Sequence, residues 1–276
     1  MEPKKLLTGA FNHVRECRYG VMLYNINDIY IGGSLEHYGE FSEGEIEVFR
    51  QVARPGDTIV DVGANIGAHT LYFAKTVGAQ GFVYAFEPQR IIFQALCANV
   101  ALNSLIHVQC LPVALGERPG KTKVPVMDPV RQNNFAGLQL GEFPEGEIVD
   151  VVPLDSLHLP QCRLIKIDVE GMESSVLRGA VATIKAHQPF LYVENDRPDK
   201  SQELTRLIAE LGYKMYWHEP FLFNPDNFYA NPNNIFGTVS SHNLFCVPAA
   251  MNAVMQGFRE ALPGEIPRPI PPDPLR

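Results

Sequence analysis

The stretch Asp61-Val-Gly-Ala-Asn-Ile-Gly67 constrains this chain more than any other. It closes a β-branched apolar run, Thr58-Ile-Val-Asp-Val62, and opens a helical pattern over residues 68–77. Gly63 and Gly67 let the backbone turn sharply and approach a ligand closely. A strand-to-helix turn of this kind begins a βαβ unit, and in an open parallel sheet ligands bind outside the carboxyl ends of the strands. The spacing here is G-x-x-x-G. A dinucleotide fingerprint is G-x-G-x-x-G, which rests a pyrophosphate on a helix N-terminus. Asn65 stands where a second glycine would be needed, and Asp61 sets a carboxylate beside the turn. Both features argue against an NAD-type ligand and for one that carries positive charge and no phosphate. S-adenosylmethionine, with its sulfonium and ammonium groups, meets that description.

The rest of the chain repeats the alternation. Strands are expected at residues 82–86, 107–113, 164–167, 190–193 and 214–217, and helices at 91–102, 174–186 and 202–211. Strands alternating with helices indicate an α/β fold with a doubly wound, Rossmann-like parallel sheet and right-handed crossovers. A last strand is expected in His242-Asn-Leu-Phe-Cys-Val247. No helical pattern links it to Trp217, so it should return antiparallel. This core domain would span residues 55–250. Residues 1–54 read as an N-terminal extension: a hairpin of Val21-Met-Leu-Tyr24 and Ile29-Tyr-Ile31, then a helix opened by the capping box Ser42-Glu-Gly-Glu45. Residues 120–159 read as an inserted hairpin whose mobile loop lies over the C-terminal edge of the sheet. Residues 251–276 read as a helix and a Pro-rich tail.

Composition narrows the partners. The 276 residues are 46% apolar, enough for a large core without disulfides. The five cysteines are scattered and form no C-x-x-C pair, which suits reduced thiols in the cytoplasm. Acids outnumber bases by 31 to 23, so no basic footprint for nucleic acid exists and no nucleic-acid partner is expected. No run approaches the ~18 apolar residues of a membrane span, and the N-terminus lacks a signal-type core. The expectation is a cytoplasmic protein with no membrane contact. A homodimer is compatible with the sequence, which does not set the oligomeric state.

Candidate site residues follow from the strand ends. Glu87 ends the second core strand, 20 residues after Gly67, where an acid can accept both hydroxyls of an adenosine ribose. Pro88 follows it. His69 and Thr70 open the first helix, where they can cap it or meet the cofactor carboxylate. Ala114, after the third strand, is small enough to flank an adenine, and equally suited to a core. Asp168 and Glu170 follow the fourth strand, and Glu194, Asn195 and Asp196 the fifth. Methyl transfer to a hydroxyl needs alignment and a proton acceptor. Asp168, Glu170 and Glu194 are the candidate catalytic acids, provided burial raises a carboxyl pKa; His218 is a further candidate base. The bland alternative for Glu170 is an acid favoured by a helix N-terminus. Asp168, Glu194, Asn195 and Asp196 would be the set for Mg²⁺, but their spacing does not demand a metal and none is expected. Phe135, Phe143, Trp217, Phe221, Phe223 and Phe228 supply aromatics near the mouth, with Phe135 a lid candidate and Trp217 a core one.

Tyr38-Gly-Glu-Phe41, Asp61 to Gly67, Phe86-Glu-Pro88 and Lys166-Ile-Asp-Val-Glu-Gly-Met-Glu173 together resemble the FkbM family of S-adenosylmethionine-dependent methyltransferases. The resemblance runs from about Tyr38 to Asn195, with a weaker echo at Asn243-Leu-Phe-Cys246. It implies a seven-stranded sheet with a reversed last strand, S-adenosylmethionine as cofactor and S-adenosylhomocysteine as product. By position it makes Asp61, Gly63, Asn65, Gly67 and Glu87 cofactor contacts and brings Glu40 to the cofactor's amino-acid end. It implies methyl transfer usually to oxygen, with sugars and polyketide-type natural products among the acceptors. The expected function is therefore O-methylation of a small molecule or glycan. The alternatives are N-methylation of a macromolecule and non-catalytic cofactor binding.

Overall fold

A computed structural model describes residues 5–135, 137, 143, 145–252 and 255–268. The chain opens with three strands, β1 (Lys5–Thr8), β2 (Asn12–Cys17) and β3 (Gly20–Asn25), paired as an antiparallel sheet. Helices α1 (Ile31–Tyr38) and α2 (Glu43–Val52) lead to the first core unit: β4 (Thr58–Val62), α3 (Ala68–Val77), β5 (Phe82–Phe86), α4 (Arg90–Leu102) and β6 (Val108–Leu111). Then come β7 (Ala114–Leu115), β8 (Gly120–Val124) and β9 (Glu147–Val152), a small separate sheet. The second core unit is β10 (Leu164–Ile167), α5 (Glu173–Arg178), α6 (Val181–His187), β11 (Phe190–Glu194), α7 (Pro198–Glu210), β12 (Tyr213–His218), β13 (Asn243–Pro248) and β14 (Arg259–Ala261).

The central sheet has eight strands in the order β14-β12-β13-β11-β10-β4-β5-β6. Its middle is parallel, and β13 runs antiparallel to both neighbours, as expected for the reversed strand. The eighth strand is a correction to the seven expected. It comes from the tail, where β14 pairs antiparallel with β12 in place of the helix expected beyond residue 250. The Pro-rich residues 269–276 lie outside the described residues.

Burial explains why the middle strands read as continuous apolar runs. A parallel sheet is covered on both faces. Ile59 and Leu164 pack toward α2 and α3 with Phe49 and Phe73. Val60, Ile165 and Ile167 pack toward α5, α6 and α7 with Leu177, Ile184 and Leu204. Alternation along a strand thus places Asp61 and Lys166, which are register partners, toward the α2–α3 side.

Three local expectations change. β3 pairs with β2, not with Ile29-Tyr-Ile31, because the Asp28 carboxylate accepts the backbone N–H of Gly32 at 2.9 Å and turns that run into α1. Ser42 precedes α2 but its side chain makes no cap; Glu45 turns instead to the Ser241 hydroxyl at 2.7 Å. The helix expected over 174–186 breaks into α5 and α6 at Gly179, whose absent Cβ would stand 2.0 Å from the Gly116 carbonyl. Asp155 accepts the N–H groups of Ala182 and Thr183, both at 2.8 Å, and restarts the helix there.

The inserted segment is docked where it is described. Asn133 bonds to Asn27 and Ile29 through the backbone, and Phe135 is buried among Tyr24, Ile31, Ile66 and Ile92. Phe135 is therefore part of a packed cluster, not a mobile lid; residues 136, 138–142 and 144, where the rest of that loop falls, lie outside the described residues. All five cysteines are free, and among the described residues no helix is long and apolar enough to cross a membrane.

Candidate active site

The turn after β4 uses left-handed backbone at Gly63 (φ 75°), Asn65 (φ 49°) and Gly67 (φ 89°). Only glycine fits at the first of these. A Cβ on Gly63 would sit 1.8 Å from the carbonyl oxygen of Asp168, so the loops after β4 and β10 touch backbone to backbone. Gly63 and Ala64 also donate to the Phe86 carbonyl at 3.0 and 2.9 Å, joining the end of β5 to the same point.

Glu87 completes this joint. Its carboxylate accepts the backbone N–H of Asn65 at 3.0 Å and of Gln89 at 2.8 Å. Burial pushes its pKa up to about 7, against the lowering pull of those two donors and of Lys166. A carboxylate has about four lone-pair sites, so these two donors leave about half its capacity unused.

An open cleft, continuous with solvent, lies above these loops. Gly63, Asn65, His69, Glu87, Pro88, Asp168 and Glu170 line it together with Phe41 and Lys166. Ala114 lines a smaller apolar recess next to it with Phe86, Pro88, Val169 and Met172. Asp61, Gly67 and Thr70 sit beneath the loop, where the Thr70 hydroxyl donates to Asp61 at 2.6 Å. Glu40 is not a cleft residue. Arg18 at 2.6 Å, Asn224 at 2.8 Å and the backbone N–H of Phe228 at 2.7 Å occupy its carboxylate.

Lys166 is the residue that sequence reasoning missed. It is 3% exposed, and its ammonium lies 3.2 Å from the Gly63 carbonyl, 3.2 Å from Asp168 and 3.6 Å from Asp61. Burial would lower its pKa, but Asp168, Asp61 and Glu45 outweigh burial and raise it, so the group is a fixed cation. The signal was a lysine inside an otherwise apolar strand. His69, close to Glu45 at 3.6 Å, is pushed well below its ordinary pKa by burial and by Lys166, and is neutral.

β10 and β11 run in parallel register with Ile167 opposite Val193, so the residues that follow them emerge side by side. Oxygens of Asp168, Glu170 and Glu194 lie within 4.8 Å of one another. Burial, then Asp168 and Asp196, push the Glu170 carboxyl up to about 7 although Arg197 pairs with it. Burial, Asp168 and Glu170 hold Glu194 well above the carboxylate range. His218 is not part of this group: it pairs with the Tyr192 hydroxyl at 2.8 Å, and burial pushes its pKa down to about 4. Trp217 is buried, while Phe221 and Phe228 are exposed.

Known proteins share this arrangement in sequence. The pattern described as the methyltransferase FkbM domain matches residues 61–215. A protein named "Methyltransferase 1" from Beauveria bassiana is 33% identical over 149 residues, 45% of this chain and 59% of the relative. A hexuronic acid methyltransferase, AglP, from Haloferax volcanii is 26% identical over 172 residues, 60% of this chain and 69% of the relative. The crystal structure of an FkbM methyltransferase from Methylobacillus flagellatus aligns with a TM-score of 0.45 and 20% identity, over 72% of this chain and 50% of that one. The chain thus spans about half to two-thirds of the length of these relatives. Since the family pattern runs from the Asp61 turn through the Asp168 and Glu194 strand ends and covers more than half of the 276 residues, the chain belongs to the FkbM methyltransferase domain family.

Proposed function

We propose that this chain is an S-adenosylmethionine-dependent methyltransferase that methylates a hydroxyl group on a small molecule or glycan. The observation that carries the reading is the convergence of three strand ends on one cleft: the Gly63 turn, Glu87, and the Asp168–Glu170 pair. The residues fit the cofactor. The unused capacity of Glu87 suits a ribose diol, and the apolar recess at Pro88 and Ala114 suits a flat adenine. An acid-rich floor suits a cationic ligand and repels a pyrophosphate.

When bound, S-adenosylmethionine supplies an electrophilic methyl group on a positively charged sulfur. The chain must then orient an acceptor hydroxyl and accept its proton as the new oxygen–carbon bond forms. Glu170, raised to about 7, is matched to that proton near neutral pH. Asp168, paired to Lys166 at 3.2 Å and 40% exposed, borders the cleft where an acceptor hydroxyl can hydrogen-bond. The name of the Haloferax relative supports a sugar acceptor. The net charge of −8 supports a small molecule or glycan over nucleic acid.

Calorimetric titration of the full chain with S-adenosylmethionine and S-adenosylhomocysteine tests the reading. Saturable binding of both is expected, and its absence from folded protein removes the proposal. Labelled-methyl transfer into fractionated extract then tests the acceptor class. Label in the small-molecule or glycan fraction is expected, and label confined to protein or nucleic acid would replace it.

A further inference from the structure

Carboxylates crowd the acceptor end of the cleft. Asp168, Glu170, Glu194 and Asp196 follow two adjacent parallel strands. Lys166 and Arg197 are the cations that face them, and both are shared. Lys166 also serves Asp61 and the Gly63 carbonyl. Arg197 serves Glu170 and Asp196. Glu173 and Lys200 each bond the Gly171 backbone at 2.8 Å. Among the described residues, these four carboxylates thus face two shared cations.

The imbalance is sharpest at Glu194. Its Oε2 is sealed from solvent and has no hydrogen-bond partner among the described residues. A buried carboxylate left in this condition must take up a proton or meet a cation. Oε2 belongs to the same carboxyl whose ligand oxygen lies within 4.8 Å of those of Asp168 and Glu170. Hard divalent ions take oxygen ligands. Carboxylate oxygens within 4.8 Å of one another can share one such ion.

We infer that Asp168, Glu170 and Glu194 form a binding site for a hard divalent cation at the acceptor end of the cleft. Its charge matches the excess of acid, and its open positions face the cleft that Asp168 and Glu170 line. A cation there holds the acceptor oxygen and lowers the pKa of its hydroxyl. That catalytic role rests on the methyltransferase reading, whereas cation binding itself does not.

Calorimetry on the full chain, with and without S-adenosylhomocysteine, uses Ca²⁺, Mn²⁺ and Mg²⁺ as probes. One saturable site per chain is expected for at least one of the three ions. Glu194→Gln and Asp168→Asn should each weaken it at least ~10-fold, with cooperative melting curves as proof of folding. Asp168, partly exposed, gives the variant that folds if Glu194→Gln does not. Absence of saturable binding of all three ions, or affinity unchanged in the folded variants, overturns the inference. Cofactor binding without cation binding defeats this inference alone; cation binding without cofactor binding defeats the methyltransferase reading alone.

Discussion

The backbone N–H of Asn65 donates to Oε2 of Glu87 over 3.0 Å, and this bond ties the turn after β4 to the end of β5. The left-handed conformation of Asn65 aims that N–H at the carboxylate. Glu87 therefore holds the loop in shape while it faces the cleft.

Replacing Glu87 should separate those two duties. If Glu87 holds the ribose as proposed, Glu87→Ala removes two hydrogen bonds to it, at roughly 1.5 kcal/mol each, and should weaken S-adenosylhomocysteine binding about 100-fold. Glu87→Gln, which keeps the shape, should lose less. Calorimetry of both variants, with melting curves as the control for folding, checks the difference.

The same carboxyl should give a pH signature. Its folded pKa of about 7 exceeds the ordinary 4.5, so the folded protein holds this proton more tightly than the unfolded chain. Its contribution to stability is complete below about 4.5 and is lost as pH rises through about 7. Melting temperature should fall between pH 5 and pH 8 through this group, roughly, and Glu87→Gln should flatten that part of the slope.

Glu170 makes an opposite prediction for rate. It accepts a proton only when ionised and not bound to a cation, so with a chelator present methyl transfer should rise with pH through about 7. Glu170→Gln should lower kcat by ~10²–10⁴ and remove that limb of the profile. Cofactor affinity should be retained. An unaltered profile would transfer the role to Glu194 or Asp168.

Two glycines with positive φ should differ. Gly63→Ala places a Cβ 1.8 Å from the Asp168 carbonyl and should cost at least ~3 kcal/mol or prevent folding. Gly78, with φ 64°, ψ −174° and no atom within 4 Å of its absent Cβ, meets backbone strain but no clash and should cost less, about 1–3 kcal/mol as alanine. Denaturant unfolding of the two variants measures the contrast.

Lys166→Met should leave Asp61, wholly buried, with only the Thr70 hydroxyl at 2.6 Å. Removing one partner from a buried ion pair costs about 3–5 kcal/mol. The loss should shrink at low pH, where Asp61 and Glu45, both already raised by burial, take up protons. Chemical denaturation at two pH values tests both statements.

Much of this molecule is written locally. The run Thr58–Val62, the glycine turn and the 68–77 helix declare themselves because side-chain periodicity and left-handed backbone are properties of neighbouring residues. The order of strands and helices, the reversed β13 and the placing of Glu87, Asp168 and Glu170 at strand ends follow from that pattern. Other features depend on residues far apart in the chain. Asp155 restarts α6 from 27 and 28 residues away, so a helix with continuous periodicity breaks at Gly179. Arg259–Ala261 joins the sheet because β12 offers it an edge, which no pattern within the tail announces.

The division is sharpest at the opening turn. Sequence alone determined that Asp61 to Gly67 bends between a strand and a helix and that it disfavours a pyrophosphate, because glycine spacing and an acid's charge are local facts. Tertiary structure decided what the carboxylates around it do. Glu40 is consumed by Arg18 and Asn224, Asp61 lies under the loop against Thr70 and Lys166, and Glu194 meets Asp168 across two strands. The physical reason is that a carboxylate's charge state and availability depend on desolvation and on its nearest charges, and here those come from other strands and helices.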